Sequence, residues 1–124
     1  MPARTPEEMH AAFAEAFNSG DLEALVALYE PDAVFVGAPD QIAKGTAAIR
    51  AALREMLASS PALDIETTGI YSSDDGIALT HGRWTISGLE PDGGTVKMTG
   101  KSSEVLRRQP DGSWLVVIDN PGSE

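Results

Sequence analysis

The stretch from Gly76 to Asn120 constrains this chain most. It reads as three long strands, Ile77 to Ser87, Thr95 to Arg108 and Ser113 to Asn120, rich in β-branched and aromatic residues. The breaks between them, Glu90-Pro91-Asp92-Gly93-Gly94 and Gln109-Pro110-Asp111-Gly112, carry the residues that tight turns need. Short turns between strands of this kind make an antiparallel meander, so one face of a sheet has to be covered by what precedes it.

The preceding residues read as that cover. Thr5 as N-cap, Pro6 at the first helical position and Glu8 three residues on form a capping-box signature. Met9, Ala12, Phe13, Ala16 and Phe17 then make one buried stripe, and Gly20 suits a left-handed helix end. Asp21 caps a second helix with apolar residues Leu22, Leu25, Val26 and Tyr29, stopped by Pro31-Asp32. Ala33 to Val36 reads as a short strand, Gly37 to Gly45 as a loop, and Thr46 as the cap of a third helix burying Ile49, Leu53, Met56 and Leu57. Leu63 to Tyr71 reads as a strand, and Ser72 to Gly76 as the turn into the meander. The order ααβαββββ predicts an α+β domain over residues 1–124, with a curved, mostly antiparallel sheet around three helices and a cavity between the layers.

A chain of 124 residues with 42% hydrophobic composition can bury a single core. A net charge of -10 with scattered Lys and Arg speaks against nucleic acid. No apolar run reaches a membrane-spanning length, and Met1-Pro2-Ala3-Arg4-Thr5 carries no apolar signal region. With no cysteine either, the expectation is a cytoplasmic protein without thiol chemistry or disulfides.

The run Phe17-Asn18-Ser19-Gly20-Asp21, then Leu28 to Phe35, Lys44 to Arg50 and Asp111 to Val117 resembles the ketosteroid-isomerase-like and SnoaL-like branches of the nuclear transport factor 2 superfamily. The resemblance implies a cone-shaped, cystatin-like α+β barrel with a deep pocket for a small hydrophobic molecule. It also implies homodimers formed through the outer sheet face. The family hosts isomerases, cyclases, hydrolases and non-catalytic binding modules on one fold, so fold alone does not set the reaction. The steroid isomerases' catalytic set does not carry over. Their first-helix tyrosine falls on Phe13, their general base on Gly37 (or Val36 if the loop gap is placed differently), and their oxyanion acid near Ser103.

Asp119, with Asn120 at the end of an apolar strand, is then the first choice for an acid/base group, since apolar walls raise a carboxyl's pKa. SnoaL-like cyclases are similar in placing an aspartate on a late strand. Asp40 in the loop before the third helix is the second choice. Phe13, Phe17, Phe35 and Met56 are expected to line the pocket floor or the core, with Ser103, Asn120 and Tyr71 at its wall or rim. Trp84 shares a strand face with Ala78, Thr80, Gly82 and Ile86. It lines the cavity and offers its indole N–H if that face meets the helices, and packs in a dimer interface if it does not. His81 has the intrinsic acidity of a base but the position of a surface residue, and His10, off the buried stripe, is expected to face solvent. Two histidines without ligand spacing argue against a metal, and no cofactor motif is present. A non-catalytic binding or dimerisation module remains the alternative to an enzyme. A hydrolase set of two aspartates and an arginine would require Arg83 or Arg107 to face inward.

Overall fold

A computed structural model describes residues 3–38, 40–58, 60–89 and 94–123. A short 3-10 turn, Pro6–Glu8, leads into α1 (Met9–Asn18), followed by α2 (Leu22–Val26), β1 (Tyr29–Ala38), β2 (Gln41–Lys44) and α3 (Thr46–Leu57). Four long strands follow: β3 (Ala62–Ser72), β4 (Ile77–Leu89), β5 (Thr95–Arg108) and β6 (Trp114–Ser123). The six strands form one curved sheet in the order β2-β1-β6-β5-β4-β3. All neighbours are antiparallel except β1 and β6, so the expected mostly antiparallel α+β architecture is present as an open, mixed sheet and not a closed barrel.

Local chemistry explains most of the boundaries. α1 ends as its glycine predicts: Gly20 takes φ +70, its N–H bonds Phe17 O, and the Asp21 N–H reaches Ala16 O, a Schellman closure. Asp21 caps α2, its Oδ1 accepting the Ala24 N–H at 3.1 Å. Three expectations are corrected. Thr5 makes no side-chain cap; Glu8 turns back instead to accept the Arg4 N–H at 2.7 Å. Gly45, with φ +89, holds the N-cap position of α3, and Thr46 is the first helical residue. The second helix stops at Val26, so Tyr29 opens a strand instead of closing a helix. Pro31 lies within that strand, between the Tyr29–Val116 and Val34–Ile118 pairings where the ladder is interrupted and its missing N–H costs nothing.

The stretch read as a loop from Gly37 to Gly45 contains β2, a hairpin partner of β1 through Val34–Lys44, Phe35–Ala43 and Val36–Ile42. β3 and β4 each extend slightly past their expected ends, and β6 runs on to Ser123. The turn at 109–112 closes through Gly112 at φ +88. Residues 90–93 of the other expected turn lie outside the described residues.

The helices cover one sheet face, and Met9, Phe17, Leu25, Ile49, Leu53, Leu106 and Val116 form the fully buried centre. Asn18 anchors α1 to β3, its amide N–H donating to Leu63 O at 2.8 Å while its carbonyl accepts the Leu63 N–H at 2.7 Å. That pairing fixes the C-terminal end of α1 against the start of β3. Among the described residues no helix is long and apolar enough to cross a membrane.

Candidate functional site

A cavity of about 790 Å³ lies between α1, α3 and the inner sheet face. Met9, Phe13 and Phe17 reach it from α1, Phe35 from β1, Met56 from α3 and Trp84 from β4. Phe13 and Phe17 stack with centroids 6.1 Å apart. The wall is mainly apolar; Ser102, Glu104 and Asp119 of β5 and β6 face His10 of α1, and Gln41 of β2 and Glu55 of α3 add polar groups elsewhere on the lining. Neither lysine nor arginine is among the described residues that line it.

Asp119 stands at that wall because an irregularity in the β5–β6 register, between the Leu106–Val116 and Val105–Ile118 pairings, shifts the inward face of β6 by one residue. Val116 and Asp119 turn inward on either side of Ile118, which is 41% exposed on the outer face. The Tyr29 hydroxyl donates to Asp119 Oδ2 at 2.6 Å. Burial raises the Asp119 pKa to about 7, the neighbouring Glu104 charge adds to it, and the Tyr29 hydrogen bond and His10 partly offset it. Tyr29 itself is pushed well above its ordinary value, first by burial and then by the Asp119 charge.

Glu104 is the direct cross-strand partner of Asp119 yet behaves oppositely. Burial pushes its pKa up, but the His10 hydrogen bond and charge, with Thr80 and Ser102, outweigh burial and hold the carboxyl below its usual range. His10 Nε2 is 2.7 Å from Glu104 Oε1, and the Thr80 hydroxyl donates to the same oxygen at 2.6 Å. His10 Nδ1 lies 2.7 Å from Thr67 Oγ1. Ser102 Oγ is buried without a hydrogen bond of good geometry, though near enough to help keep Glu104 ionised. Two carboxyl groups pushed apart in acidity on adjacent strands can serve as proton donor and proton acceptor at one pH. Among the described residues no group of three His, Asp or Glu side chains could hold a metal ion.

The expected residues divide cleanly. Asp119, Phe13, Phe17, Phe35, Met56 and Trp84 all meet at the cavity. Trp84 lies inside, but its indole N–H donates to Pro121 O at 2.7 Å, so it is already engaged. Gly100 on β5 makes room for it, since a Cβ there would come within 2.4 Å of the indole. Ser103 and Asn120, paired across β5 and β6, point to the outer face, because Ser102 and Glu104 take the inward positions. Tyr71 is 63% exposed on that outer face, beside His81, whose Nδ1 is 3.0 Å from Ser103 Oγ. Asp40 is exposed at the β1–β2 turn and does not reach the wall between Gly37 and Gln41. Arg83 and Arg107 are both exposed, the first 4.0 Å from Glu66 and the second donating to Glu30 at 2.9 Å, which removes the two-aspartate-and-arginine set. Gly37 lines the cavity with no side chain, and Val36 is not part of its lining, so the steroid isomerases' base position is empty.

Sequence reasoning missed His10, Glu104, Tyr29 and Ser102. His10 is 5% exposed and not solvent-facing. Its spacing to Phe13 and Phe17, three and seven residues, was the available signal. Glu104 was signalled by the alternation Ser102, Glu104, Leu106, a carboxylate sharing a face with a core leucine.

The sequence pattern of the SnoaL-like domain matches residues 10–116. No curated protein matches the chain. Solved structures do. A ketosteroid isomerase-like protein from Erwinia carotovora atroseptica is 19% identical, with a TM-score of 0.81 over 92% of this chain and 89% of that one. An NTF-2 like protein of unknown function from Shewanella oneidensis is 20% identical, with a TM-score of 0.79 over 94% and 95%. An NTF2-like superfamily protein from Salmonella enterica is 17% identical, with a TM-score of 0.79 over 94% and 88%. At these identities the likeness is one of fold.

Proposed function

The chain belongs to the SnoaL-like domain family, and from that premise we propose that its cavity binds a small, mostly hydrophobic molecule and that Asp119 performs cofactor-free acid–base chemistry on it. One observation carries the reading. Asp119 is buried at a mainly apolar cavity wall, its pKa is raised to about 7, and Tyr29 holds it through Oδ2. A carboxyl with that acidity is divided between base and acid at neutral pH, the condition in which general acid–base catalysis works best.

In this mechanism the Asp119 carboxylate takes a proton from carbon next to a carbonyl. The C–H electron pair moves toward the carbonyl oxygen, and the protonated Asp119 returns the proton at another atom. Because Tyr29 donates to Oδ2, the proton is carried on Oδ1. Ser102 Oγ, buried and without a good partner, is the donor available to a developing oxyanion. Isomerisation and cyclisation both begin with such a step, and hydrolysis differs in that the proton comes from water. Phe13 and Gly37 leave the steroid isomerases' own donor and base positions unfilled, so ordinary steroid isomerisation is not the reading.

A second reading, a non-catalytic dimerisation module, has its own observation. Tyr71, Leu79, Val105, Ile118 and Val34 are successive cross-strand partners, one apolar row across five strands. Leu79 and Ile118 are 37% and 41% exposed there. Such a row is where a second copy would pack, and a homodimer is compatible with either reading. Light scattering of the wild type and Ile118→Arg tests it: a dimer that becomes a monomer supports the interface, and a monomeric wild type removes it.

The enzyme reading is tested by thermal shift with uncharged apolar ketones, on the wild type and Asp119→Asn, across pH. A ligand at about 100 times its Kd stabilises by roughly 2.7 kcal/mol. Stabilisation whose pH dependence disappears in Asp119→Asn supports the assignment. Stabilisation indifferent to the substitution leaves a binding module without a catalytic Asp119.

A further inference from the structure

We propose that Thr67, His10 and Glu104 form a proton relay that connects the buried wall of the cavity to solvent. The inference rests on the reading of Asp119 as an acid–base group, because a turnover that leaves the abstracted proton on Asp119 has to pass it to water before the next.

The geometry spans three strands. Thr67 on β3 is exposed, and Glu104 on β5 is buried at the cavity. The His10 ring bridges them, with Nδ1 2.7 Å from the hydroxyl and Nε2 2.7 Å from the carboxylate. Gly82, opposite Thr67 on β4, makes the bridge sterically feasible. A Cβ at Gly82 would lie 3.0 Å from His10 Cε1 and 3.2 Å from Nε2, so only a glycine leaves the ring room to lie across the strand. A β-bulge between Thr67 and Gly69 adds a local kink beside the outer end of the chain. At the inner end Glu104 is cross-strand partner to Asp119, and Ser102 Oγ lies near Glu104 at the same cavity wall without a good hydrogen bond.

Imidazole is the one side chain that accepts a proton on one nitrogen and releases another from its opposite nitrogen near neutral pH. Inward transfer passes a proton from water through the Thr67 hydroxyl to Nδ1, while the Nε2 proton moves to the Glu104 carboxylate. Outward transfer is the reverse and restores the original tautomer, so each exchange leaves no net charge behind. A purely structural histidine would need one partner to be fixed. Here one nitrogen serves a carboxylate inside and the other a hydroxyl in contact with solvent.

The test follows deuterium wash-in at the α-carbon of β-tetralone in heavy water by NMR. It is set against isomerisation of a β,γ-unsaturated cyclohexenone to its conjugated isomer, in which Asp119 returns the abstracted proton to another carbon of the same substrate. Only the first reaction needs exchange with solvent. In Thr67→Val, an exposed and conservative change, the ratio of wash-in to isomerisation is expected to fall roughly tenfold. Thr67→Ser, which keeps the hydroxyl, restores it, and His10→Gln lowers it as Thr67→Val does. A ratio unchanged in Thr67→Val overturns the relay while leaving Asp119 in place. Absence of both reactions in the wild type overturns the Asp119 reading, and the relay falls with it.

Discussion

The Tyr29 hydroxyl donates to Asp119 Oδ2 over 2.6 Å, and both groups are buried. The bond joins the first residue of β1 to the inward aspartate of β6, strands that run parallel side by side. It is also one of the two influences that hold the Asp119 pKa down against burial. Tyr29→Phe removes it. The expected result is an Asp119 that titrates above about 7, seen in the infrared band of its protonated carboxyl. A stability loss of about 1–3 kcal/mol accompanies it, since a buried acceptor loses its partner.

Asp119 also shapes stability against pH. Its folded pKa of about 7 lies above the ordinary 3.8, so between those values the folded chain holds a proton that the unfolded chain has lost. Stability therefore falls as pH rises across that window, with a slope of up to roughly 1.4 kcal/mol per pH unit. Glu104 runs the other way. Its folded pKa is below 4.5, so its contribution is present above that value and lost as pH falls through the folded pKa. Urea midpoints from about pH 2.5 to pH 8 check both, and Asp119→Asn is expected to flatten the fall without removing the acid limb.

Gly100→Ala tests the cavity wall built by Trp84. An added Cβ would lie 2.4 Å from the indole Cζ2 and 2.6 Å from Cε2, neither of which is a flexible side-chain tip. The ring has to move, and its 2.7 Å bond to Pro121 O is lost with it. A cost of about 1–3 kcal/mol is expected in urea unfolding, together with a red-shifted tryptophan emission. Wild-type stability with unchanged emission would show that the indole does not lie across Gly100.

Helix stripes, turn glycines and strand patterns placed the layers correctly, because each rests on local chemistry that Gly20, Asp21 and Gly112 display directly. Asp119 was legible as a candidate from an apolar strand ending in a carboxylate, but its inward direction was not, because it depends on a register shift in β6 that strict alternation does not contain. Ser103 was read as a site residue in place of Ser102 because strand faces alternate with period two, and one residue's error exchanges inside for outside. β2 was missed because Gln41 to Lys44 is short and lies at the sheet edge, with no alternation long enough to register. Tyr29 was assigned to a helix because Pro31 reads locally as a helix stop, whereas an interruption in the β1–β6 ladder accommodates it. The His10–Glu104 pair joins residues 94 positions apart, and only packing of α1 on the sheet brings them together.

The central claim is that Asp119 is a proton-transfer group tuned to neutral pH inside an apolar cavity. The pH–rate profile of nitrobenzisoxazole opening tests it most directly, because that reaction needs only a base in an apolar site. The wild type is expected to show a rate that rises with pH through a midpoint of about 7, and Asp119→Asn to lose roughly a hundredfold together with the midpoint. A profile without that midpoint, or one that Asp119→Asn leaves unchanged, contradicts the account.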